Sequence, residues 1–66
     1  MKYINKNRIL GMDIRKNPLV PHGWSAIIYL ETTEYTKTFG SKNHAKSYLE
    51  DIVLQANSSL FVYLGE

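Results

Sequence analysis

The sequence predicts an α+β domain: a three-stranded antiparallel sheet packed on one C-terminal helix, in the order β-β-β-α. Three observations carry that prediction. Ala45, Tyr48, Leu49, Ile52, Val53 and Ala56 recur at helical spacing and fall on one stripe. Trp24 to Leu30 alternates with period two, placing Trp24, Ala26, Ile28 and Leu30 on one face and Ser25, Ile27 and Tyr29 on the other. Between these segments, Glu31-Thr32-Thr33-Glu34 is polar and short enough for a hairpin loop.

In chain order, residues 8–16 form the first candidate strand, with Leu10, Met12 and Ile14 on one face and Ile9, Asp13 and Arg15 on the other. Asn17-Pro18 and Pro21-His22-Gly23 then break the chain. The second strand spans residues 24–30. The third, residues 35–39, is rich in threonine and aromatics, which suit a pleated surface. A helix follows over residues 42–56. Ser41 is placed to accept a bond from a first-turn N–H, and Asn57 can take the left-handed conformation that ends many helices. Residues 60–64 are apolar and read either as a short fourth strand or as a tail on the core. The whole chain, residues 1–66, reads as one domain near the lower size limit for an independent core.

Composition excludes several classes. With 44% hydrophobic and 21% charged residues the chain is not of disordered type, and without cysteine it has neither disulfides nor a thiolate metal site. No apolar run approaches the ~20 residues that span a bilayer, and the basic Met1–Lys6 start lacks the apolar stretch of a signal peptide. A cytoplasmic location is the expectation.

Catalysis is not expected. His22 and His44 have no ligand-spaced partner, and there is no nucleophile elbow, Walker loop or dinucleotide fingerprint. Glu50 and Asp51 are helix neighbours pointing about 100° apart, so they cannot work as a paired acid and base. Neither a metal nor another cofactor is expected. The chain reads as a binding module, with nucleic acid or a protein as partner.

Charge bears on both: the low net charge of +2 suits a protein partner, but it is unevenly distributed. Residues 1–23 carry five basic side chains against Asp13, a net of +4, whereas residues 24–66 carry three against five acids, a net of −2. A basic front could steer a polyanion to one side. Trp24 reads as a core anchor by its parity, with a base-stacking platform as the other reading.

Gly23-Trp24-Ser25-Ala26-Ile27-Ile28, followed by Thr38-Phe39-Gly40-Ser41-Lys42-Asn43-His44-Ala45, resembles the three-stranded-sheet DNA-binding domains of plant ethylene-response factors. It also resembles the arm-binding domains at the N-termini of tyrosine recombinases. The resemblance covers residues 10 to 53, about two thirds of the chain. It implies a sheet lying in the major groove, with side chains from the strands meeting DNA. The outward positions are then held by Ile27, Tyr29 and Tyr35; the family has an acid and an arginine where Ile27 and Tyr29 stand, and Tyr35 keeps its aromatic.

The expected binding residues are Arg8, Arg15, Lys16, Ile27, Tyr29, Tyr35 and Lys37. As an alternative to nucleic acid, Ile27, Tyr29 and Tyr35 would make an apolar and aromatic patch for a protein partner, as in a small phage-like inhibitor or adaptor. Solvent, the chain's own termini or a second copy in a homodimer are the candidates for what lies against that patch.

Overall fold

The computed structural model describes residues 2–65. It is an α+β domain with five strands and one helix. β1 (Lys2–Asn5) leads through a 3-10 turn (Lys6–Arg8) into β2 (Gly11–Lys16), β3 (Trp24–Tyr29) and β4 (Glu34–Phe39). Then come α1 (Lys42–Ser58) and β5 (Phe61–Gly65). β2, β3 and β4 form the expected antiparallel meander, while β5 pairs antiparallel with β1 in a separate two-stranded ribbon.

The core explains this arrangement. Ile4, Ile28, Leu30, Ile52, Val62 and Leu64 form one buried cluster drawn from β1, β3 and its following turn, α1 and β5. Helix and ribbon therefore share the Ala26–Ile28 side of the meander, and together they make its second layer. Among the described residues, β1 and β5 pack on this side, through Ile4, Val62 and Leu64.

Three expectations are corrected. The first strand was read as residues 8–16, but the chain turns at Lys6–Arg8 and strand geometry starts at Gly11. Asn5 opens that turn by accepting from Asn7 N (2.9 Å), and Ile9 N closes it on Lys6 O (3.1 Å). Asn57 does not end the helix: α1 runs on to Ser58, and the extended Ser59 caps it by donating N–H to Gln55 O. Val53, placed on the inward stripe, is 43% exposed and sits at the helix margin. The rest of the stripe faces inward, with Ala45 and Ile52 fully buried. Ser41 is the N-cap, its hydroxyl accepting from His44 N at 3.2 Å.

β5 is an edge strand facing the helix, and a side chain closes its edge. Gln55 accepts from Tyr63 N (2.9 Å) and donates to Tyr63 O (3.4 Å), with a second donor bond to Asp51 Oδ2 (2.9 Å). The amide thus does for Tyr63 what a neighbouring strand would do. Gln55→Ala leaves both backbone groups short of partners and is expected to cost about 1–2 kcal/mol, a fall of several degrees in Tm in a thermal melt. An unchanged Tm would show that water replaces the amide without loss.

Nearby, the Tyr48 hydroxyl donates to Leu64 O, joining the helix to the end of β5. Burial, with Tyr35 beside it, pushes the Tyr48 phenol up to about 12. The raised value means that this contribution to stability is complete below the ordinary phenol range near 10 and fades as pH climbs towards 12.

Candidate functional site

Cross-strand pairing decides which side chains share a surface. On the face turned away from the helix lie Ser25, Ile27 and Tyr29 of β3, flanked by Gly11, Asp13 and Arg15 of β2 and by Glu34, Thr36 and Thr38 of β4. Tyr35 is not among them. It pairs with Ile28, so it belongs to the helix side, where it packs at the margin of the core. The expected Ile27–Tyr29–Tyr35 patch is therefore split between two faces, because a pairing of Tyr29 with Glu34 across the Leu30–Thr33 turn fixes the parity. Ile27 is also only 8% exposed. What remains outward is polar and of mixed sign.

Two of the expected basic residues are engaged with acids. Arg8 Nε binds Glu31 Oε1 at 3.1 Å, and Arg15 Nε binds Asp13 Oδ2 at 3.0 Å. The hydrogen bond from Arg8 holds the Glu31 carboxyl below its ordinary range, and that from Arg15, aided by Ile14 N–H, does the same for Asp13. Arg8 stands at the end of the molecule where α1 finishes, since the adjoining Lys6 donates to Ala56 O at 2.9 Å. It does not join the other expected residues.

At the opposite end, where α1 begins, the fold gathers basic side chains. Lys16, Trp24 and Phe39 form the last cross-strand row of the meander, directly before the helix. Lys42, the first helical residue, lays its Nζ 5.4 Å from the Trp24 ring centroid. Lys37 reaches over Phe39 and Tyr48, its Nζ 5.9 and 5.2 Å from their ring centroids, and those two rings touch at 5.3 Å. Lys46 follows Lys42 one turn later on the same flank of α1. Arg15, one residue before Lys16, points to the opposite face of β2 and is bound to Asp13, so it stays outside this group. No Asp or Glu occurs in residues 14–30 or 35–49, which supply most of this end; the end of β5 reaches it as well, where a Cβ on Gly65 would lie 3.1 Å from Lys37 Nζ. Lys16, Lys37, Lys42 and Lys46 form no ion pair among the described residues. The first helical turn also holds no acid, so the positive end of the helix dipole adds to the same field.

The loop over residues 17–23 stiffens this end. Asn17 N donates to Gly23 O (2.9 Å), Gly23 N to Val20 O (2.9 Å), and Leu19 N to Asn17 Oδ1 (3.0 Å). His22 takes a left-handed φ of 59°. A Cβ on Gly23 would lie 2.7 Å from Val20 Cβ, so this glycine is required by close approach. Trp24 emerges from the loop half-buried, neither the fully buried anchor that its parity suggested nor a free side chain.

The sequence alone did not single out Lys42 and Lys46, and it left Trp24 between core anchor and stacking platform. Their signal was present as the two acid-free stretches, but dividing the charge between front and rear halves concealed it. A second surface feature is an open groove of about 290 Å³ between β2 and α1, lined by Ile9, Met12, Val53 and Ala56. Among the described residues no group of His, Cys, Asp and Glu is arranged to hold a metal ion, and no helix is long and apolar enough to cross a membrane. No protein-family model, curated protein or solved structure matches the chain.

Proposed function

We propose that this chain is a nucleic-acid-binding module that holds the phosphate backbone at the end where α1 begins. The observation that carries the reading is the gathering of Lys16, Lys37, Lys42 and Lys46 from β2, β4 and α1 into one region without a carboxylate among the described residues. The other described residues carry Lys2, Lys6, Arg8 and Arg15 against five acids, so the unpaired positive charge is concentrated in that region. Lysine ammonium groups at separate points suit a flexible string of phosphates, and they release its counterions on binding. Aromatic rings among those lysines add surface that bases can use. The resemblance to sheet-plus-helix DNA-binding domains points the same way, though the contact surface proposed here is the end of the meander and not its outer face. A protein-partner reading rested on the Ile27–Tyr29–Tyr35 patch, and the pairing of Ile28 with Tyr35 leaves it without that patch.

The test is an anisotropy titration of labelled oligonucleotide at several salt concentrations. Binding should be measurable at low salt, and log affinity should fall linearly with log salt, with a slope of about −2 to −3 for three or four phosphate contacts. No binding at low salt would end the proposal.

A further inference from the structure

We infer that the nucleic acid held at this end is a single strand, with one base stacked on Trp24. This rests on the nucleic-acid reading above and names its ligand. The indole is half-buried at the mouth of the acid-free region, so it is held by the fold yet keeps an accessible surface. In the free protein that surface has the Lys42 ammonium over it at 5.4 Å, an electrostatic contact that a ring face accepts readily. A bound nucleotide supplies a better partner for both groups: its phosphate takes the ammonium and its base takes the ring face. Lys16 stands across from Trp24 in the pairing, on the β2 side, so a second lysine springs from the same cross-strand row.

A duplex cannot use this arrangement, because its base faces are already stacked on one another. Duplex recognition would need a broad basic surface, and the wide outer face of the meander instead carries one cation, Arg15, already bound to Asp13, beside Glu34 and threonines. A single strand needs only a ring, a few cations and no base-edge readers. The chemistry at Trp24 matches that set.

Trp24 is the single tryptophan, so its fluorescence reports its own site. The experiment titrates the whole chain with oligothymidylate of about twelve nucleotides and with a duplex of the same length, reading anisotropy of the labelled oligonucleotide and tryptophan emission together. The expected result is quenching by the single strand and an affinity about tenfold above that for the duplex. Equal or tighter duplex binding with unchanged emission overturns the stacking inference and leaves phosphate binding standing. Absence of an anisotropy change with either probe removes both.

Two variants separate stacking from packing. Trp24→Phe keeps a ring and should bind the single strand within about threefold of the parent, whereas Trp24→Leu keeps apolar bulk without a ring face and should bind about tenfold more weakly. Both are checked for folding by circular dichroism. Equal binding by folded Leu and Phe variants overturns the inference.

Discussion

Replacing Lys16 and Lys42 together by glutamate is expected to weaken oligonucleotide binding at low salt by about 100-fold or more, the largest functional effect of any change proposed for this chain. Lys42 lays its ammonium over Trp24 from α1 and Lys16 pairs with Trp24 from β2, so the pair tests the region that the fold assembles and not a single stretch of sequence. Reversal does more than remove two contacts. It shifts the net charge from +2 to −2 and puts carboxylates beside the Trp24 row, in a region that has none of its own. The surviving Lys37 and Lys46 would then act against repulsion, and the salt slope should flatten towards zero. Arg8→Ala is the matched control. It removes a cation of the expected set, but at the far end and already bound to Glu31, so binding should stay within about threefold of the parent. A double reversal that still binds, or an Arg8 variant that loses binding equally, would show that attraction comes from overall charge with no defined surface.

That contrast also shows what could be read from the chain alone. The helix was legible because its signals are local: a repeated apolar spacing and a serine placed at its start. The meander was legible because β3 alternates and polar segments bracket it. The β1–β5 ribbon was not legible as a pair. β1 has four residues, of which only Ile4 is buried, and its partner lies at the other end of the chain, so no local pattern marks either strand as belonging to the other. The same non-locality hid the site. Lys16 and Lys42 are distant in sequence, and only the closed meander brings the Lys16–Trp24 pair and the Lys42 ammonium to the same end. Tyr35 was misplaced for a related reason: its face follows from pairing with Ile28, which one strand considered alone does not reveal.

Ile52→Ala is expected to have the largest effect on stability, because Ile52 is where helix, meander and ribbon meet. It is fully buried and shares its cluster with Ile4, Ile28, Leu30, Val62 and Leu64. Truncating such a side chain typically costs about 2–5 kcal/mol through lost transfer energy and the cavity left behind. A domain of this size is stable by roughly 3–10 kcal/mol, so the loss removes a large share of the total. The melting temperature should fall by at least ten degrees or so, with a substantial unfolded population at ambient temperature. Ile52→Val keeps most of the volume and should cost about 1 kcal/mol. Leu54→Ala, two residues on but 66% exposed, should leave the melt nearly unchanged. The readout is far-UV circular dichroism together with Trp24 emission. Since Trp24 lies outside the Ile52 cluster, coincident transitions would mean that the core and the basic end unfold as one unit. An Ile52→Ala protein that melts within a few degrees of the parent would show that the ribbon adds little to the core. A variant losing its dichroism before its tryptophan signal would show instead that the basic end folds on the meander alone.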